Sequence, residues 1–173
     1  MDWNEQLCDQ LERHWTGQLR PRLDGLTDDE YCWEPVPNCW NVRPRGTGTA
    51  IDFANPTPDP EPVTTIAWRL GHLIVGVFGM RVARHFGGPA MDYETFEYAG
   101  TAATALAQLD EAYAAWMAGV RTWTDEQLAA PCGEPGYEAF PRAALVLHIS
   151  REAIHHGAEI ALLRDLHIRL GFR

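Results

Sequence analysis

The chain contains no lysine. All 14 of its basic residues are arginines, and they face 24 acidic residues for a formal net charge of −10. Without a lysine amine there is no Walker-type phosphate loop, no Schiff base and no pyridoxal chemistry. Serine is almost as scarce: Ser150 stands alone, in a helical context with no G-x-S-x-G turn, which argues against a serine hydrolase. Basic clusters are missing too, so neither nucleic acid nor an anionic membrane surface is an expected partner. The four cysteines (Cys8, Cys32, Cys39, Cys132) form no C-x-x-C pair and no zinc-ribbon spacing, and they are expected to be reduced. The first residues, Met1 to Glu5, lack the positive region and apolar core of a signal peptide. No apolar run approaches the ~20 residues of a membrane span. The best stretch, 66–80, is interrupted by Arg69 and His72. A cytoplasmic protein is the expectation.

What is present fits one domain over residues 1–173, with 46% hydrophobic residues to build a core. No segment alternates convincingly with period two, and four carry a helical period. Leu7, Leu11, Trp15, Leu19 and Leu23 recur every four residues on a face that drifts slowly around a first helix over 3–23. A second helix opens at Thr64 or Thr65 and stops at Gly87-Gly88-Pro89. The third, 101–123, carries Ala102, Leu106, Leu109, Tyr113, Trp116, Val120 and Trp123, an aromatic stripe that belongs to a core seam. Thr124 to Gln127 is a capping-box pattern for a short extra turn. The fourth helix runs over 142–166. Between the first and second helices, residues 26–62 hold seven of the twelve prolines. Trp33 and Trp40 in that loop are expected to fold back as a lid or wall. The periodicity thus predicts an all-α four-helix bundle with one long loop.

The fourth helix carries an anomaly. Leu145, Ile149, Glu152, His156, Ile160 and Leu163 share one face, and two of the six are ionisable. An unpaired buried carboxylate costs several kcal/mol, so Glu152 needs a partner. At a spacing of four, Glu152 and His156 either form a buried ion pair or converge on one divalent ion. His72 sits in a similarly apolar stretch of the second helix. It is either a satisfied core histidine or the third ligand from a facing helix, and a two-histidine, one-carboxylate set with open positions is catalytic in type. His155, rotated about 100° from His156, is expected to face a neighbouring helix or solvent. His148 is a boundary residue or an orienter of Glu152. Glu159 is assigned to a solvated face, with an orienting role as the alternative. His14, His85 and His167 are expected at the surface or at helix ends, and Cys132 is a weak candidate for lining a pocket.

The segments Trp68-Arg69-Leu70-Gly71-His72-Leu73 and 148–160 (HISREAIHHGAEI) resemble the two signature stretches of the DinB/YfiT-like metalloprotein superfamily. The resemblance runs over nearly the whole chain in helix order, including the long loop. It implies a bundle binding a divalent metal, zinc or nickel among others, often as a homodimer. Many members place a histidine where this chain has Glu152. The His-Glu-His set at His72, Glu152 and His156 is instead similar to that of the mycothiol-dependent maleylpyruvate isomerases, in which a glutamate ligates zinc. The implied activity is a metal-dependent transferase activating a small thiol, mycothiol-like, for attack on a small electrophile. The isomerase activity itself is not implied. A hydrolase using bound water and a non-catalytic metal-binding stress-response protein are the alternatives.

Overall fold

The four-residue spacing of the first segment is wider than the 3.6 residues of an α-helical turn, so an uninterrupted helix would rotate Leu19 and Leu23 off the core face. The chain corrects this drift. In the computed structural model, which describes residues 2–171, helix α1 (residues 3–22) is α-helical over Trp3–His14 and widens to a π turn over Trp15–Leu19. The Arg20 N–H bonds Trp15 O there. The one inserted residue keeps Leu11, Trp15, Leu19 and Leu23 all buried.

Helix α3 (Ile66–Phe86) is built the same way. Thr65 caps it by accepting the Trp68 N–H. A π turn over Leu73–Gly79 follows directly after His72, and Gly87 ends the helix at φ +70°, a left-handed cap that glycine adopts without strain. By length and hydropathy α3 alone, among the described residues, is apolar enough to cross a membrane, despite the interruptions at Arg69 and His72. Most of that stretch is buried, chiefly against residues 102–120 and 142–169.

Helices α4 (Ala102–Val120), α5 (Asp125–Ala129) and α6 (Arg142–Arg169) complete the helical part. Trp15 stacks on Tyr113 at 3.8 Å between centroids, Phe78 meets both edge-on, and Trp116 is fully buried. The seam of the third predicted helix is therefore core, although Trp123 lies just past its end.

Residues 26–62 are not irregular throughout. A capping box at Thr27 and Glu30 opens the short helix α2 (Asp28–Cys32). Strands β1 (Val42–Arg45) and β2 (Gly48–Ile51) then pair antiparallel, with Val42 opposite Ile51 and Arg45 opposite Gly48. The fold is mostly helical, with this one small two-stranded sheet among the described residues. Each strand has only four residues and β1 contains Pro44, too little to display alternation in the sequence. Tyr31 donates to Ala99 O at 2.8 Å, and Arg164 of α6 pairs with the buried Glu30 at 3.0 Å. These contacts lash the connector to the helices.

Candidate metal centre

His72, Glu152 and His156 converge. Each offers one ligand atom, and the three atoms lie within 4.8 Å of one another. His156 Nε2 is 3.7 Å from Glu152 Oε2, and the two imidazole rings meet edge to face at 4.7 Å between centroids. Metal–ligand bonds of about 2.0–2.1 Å at tetrahedral angles put neighbouring ligand atoms about 3.3 Å apart, so small side-chain adjustments close the set on one ion.

The donor chemistry fits a divalent cation. Burial, followed by the nearby His156, Arg69 and Arg81, pushes the His72 pKa down to about 3. Burial likewise lowers that of His156, against the opposing pull of Glu159. Both rings are therefore neutral at neutral pH, the state in which imidazole donates a lone pair. Each is also held from behind. His72 Nδ1 is 2.6 Å from the phenolic oxygen of Tyr93, and with Nδ1–H donating there, Nε2 presents its lone pair. His156 Nδ1 donates to Glu159 Oε2 at 2.8 Å, which leaves its Nε2 toward Glu152. Arg69 pairs with the same Glu159 carboxylate, its Nη1 3.3 Å from His156 Nδ1. Glu159 is thus an orienting residue, not part of a solvated face.

The π turn sets this geometry. It widens α3 where Gly76 faces Tyr93, and a Cβ on Gly76 would overlap the Tyr93 hydroxyl and come within 3.2 Å of His72 Nδ1. Trp68 stacks on His72 at 5.4 Å, Trp40 on Trp68 at 5.9 Å, and Phe53 on Tyr93 at 6.4 Å. Trp40 is pinned by backbone hydrogen bonds to Val63 and Thr65. It forms the expected wall. Trp33 does not: it packs edge-on against His167, eleven residues and ~16 Å along α6 from His156.

The other candidates sort as follows. His155 is exposed, as its rotation predicts, so the second possible cluster of His155, His156 and Glu159 is the poorer one, with Glu159 already engaged. His148 Nδ1 stands 3.5 Å from Glu152 Oε1 at the partly exposed edge of the site. His85 and His167 lie in the last turns of α3 and α6, as expected of helix-end residues, but both side chains are covered, His85 on Glu134 at 2.7 Å. Arg69, Tyr93 and Gly76 went unassigned in the sequence. Tyr93 lies 21 residues from His72, in a connector without periodicity to place it.

A cavity of about 900 Å³ opens beside Glu152, between the C-terminal half of α3, the N-terminal half of α6 and the 131–141 loop. His148, Arg151 and the buried Cys132 line it. His148 and Arg151, each within 4 Å of Glu152, bring its wall next to the converging residues. All four cysteines are free.

No curated protein and no solved structure matches the chain. The family model described as the DinB superfamily matches residues 10–160, most of the chain, and with the His72–Glu152–His156 group in place the protein belongs to that superfamily.

Proposed function

We propose that the protein is a single DinB-like four-helix bundle domain that binds a divalent metal at His72, Glu152 and His156 and transfers a low-molecular-weight thiol, mycothiol-like, to a small electrophile. The observation that carries this reading is the pair of neutral imidazoles, each held through Nδ1, with one ligand atom of each and of Glu152 within 4.8 Å of one another. Zinc or nickel suits that nitrogen and oxygen donor set. When bound, such an ion supplies Lewis acidity that keeps a coordinating thiol deprotonated at neutral pH.

The rest falls to the chain. Glu159 and Tyr93 hold the imidazoles so that no rotamer freedom is lost when the site fills. The Trp40–Trp68 stack excludes water on one side, and the cavity beside Glu152 admits the electrophile on the other. Arg69 is tied up by Glu159, which keeps a buried guanidinium from repelling the cation.

The test is consumption of an electrophile such as 1-chloro-2,4-dinitrobenzene by metal-loaded protein, with and without a cysteinyl thiol, beside His72→Ala. Thiol transfer requires thiol and metal together and is lost in the variant. Turnover of an ester or amide without thiol would favour hydrolysis instead. A thermal shift on chelation with no turnover of either probe would leave the ion as a structural clamp.

A further inference from the structure

The cavity beside the metal-ligand group has a charge opposite to that of the molecule. In a chain of net charge −10, three arginines, Arg81, Arg84 and Arg151, line it against one carboxylate, Glu134. That carboxylate is shared: it takes His85 Nε2 at 2.7 Å and pairs at 3.8 Å with Nε of both Arg81 and Arg84. Arg84 Nη1 also donates to Gly133 O at 3.1 Å, whereas Arg81 Nε, sealed in the cavity wall, has no hydrogen-bond partner. Two guanidiniums on one carboxylate leave this wall of the cleft with a surplus positive charge that an anion would neutralise. The remaining lining is apolar, with Met80, Met91, Leu145 and Phe140. Methionines accommodate varied shapes, and about 900 Å³ suits a small organic molecule.

We propose that this cavity binds an organic anion, a carboxylate or phosphate carried on an apolar body, with Arg81 and Arg84 taking the anionic group and the body lying on the methionines. His148 and Arg151, both within 4 Å of Glu152, bring the cavity's other wall to the metal-ligand group. A bound anion therefore lies alongside that group. That the anion is the electrophilic substrate rests on the thiol-transfer reading; its binding does not.

Isothermal titration calorimetry tests the site with 4-phenylbutyrate, phenyl phosphate and the neutral 4-phenylbutan-1-ol, before and after chelation. At least one anion is expected to bind about tenfold or more tightly than the alcohol, with or without metal. Which of the two wins identifies the anionic group. Arg81→Gln with Arg84→Gln removes the preference and leaves alcohol affinity unchanged. Glu134→Gln, which removes the competing carboxylate, strengthens anion binding and serves as the second variant if the arginine double variant does not fold. His156→Ala keeps the anion site even where it loses metal, so failure of the metal reading and failure of this one are distinguishable. Equal affinity for anions and alcohol, no binding of any probe, or a preference that disappears only on chelation would overturn the proposal.

Discussion

At His72 the decisive neighbour is Tyr93. Its hydroxyl engages Nδ1 and leaves Nε2 to take a ligand, and burial raises its own pKa to about 12, so it remains a neutral phenol throughout the working pH range. Tyr93→Phe keeps the ring stack and removes only that contact. Losing such an outer partner costs about 10–100-fold in metal affinity. Competition with a chromogenic chelator checks this, and unchanged affinity would remove Tyr93 from the account. Gly76→Ala reaches the same contact from the other side by displacing the hydroxyl; the expectation is weaker metal binding with helix content retained by circular dichroism. The three converging residues were legible because Glu152, His156 and His72 break apolar periodicities. Tyr93 was not, since nothing local marks a connector residue that reaches back to a helix. Glu159 was misassigned because helical spacing gives the face of a residue but not Arg69, which arrives from another helix to hold it.

Between elements, Arg164 concentrates several roles. It pairs with Glu30 of α2 and donates to the backbone carbonyls of Arg22 and Asp24 at the end of α1. Both partners of the ion pair are largely buried, with side-chain exposures of 12% and 6%. Arg164→Ala leaves the Glu30 carboxylate buried without its partner and is expected to cost about 3–5 kcal/mol, read from urea unfolding. A loss below about 1 kcal/mol would mean the pair is solvated. Helix starts at Thr65, Thr101 and Thr124 were readable because each threonine accepts a backbone N–H three residues on. The same pattern stands at Thr27 to Glu30 and was overlooked inside a proline-rich stretch. The hairpin was beyond reach for a different reason: two four-residue strands carry almost no period, and their pairing is decided by tertiary contact. The four-residue leucine spacing of α1 was legible, whereas its π turn follows from packing.

For the molecule as a whole, the buried imidazoles tie stability to pH. The unfolded chain protonates His72 near pH 6.5, whereas the native chain resists until about 3. Between those values the unfolded state binds the extra proton. Metal-free protein therefore loses stability as pH falls through that window, by up to about 1.4 kcal/mol per pH unit from this group, and His156 acts in the same direction. His72→Phe, which cannot titrate, should show a shallower decline in urea midpoint between pH 7 and pH 4. Parallel declines would show that His72 is not held neutral.

Everything in the functional account depends on one cation shared by α3 and α6. Elemental analysis of the purified protein, beside His72→Ala, Glu152→Ala and His156→Ala after identical preparation, measures it directly. The account predicts one divalent ion per chain in the parent and loss of it in all three variants. A parent that is metal-free and takes up neither zinc nor nickel on reconstitution would contradict it and leave His72, Glu152 and His156 as a metal-free polar cluster.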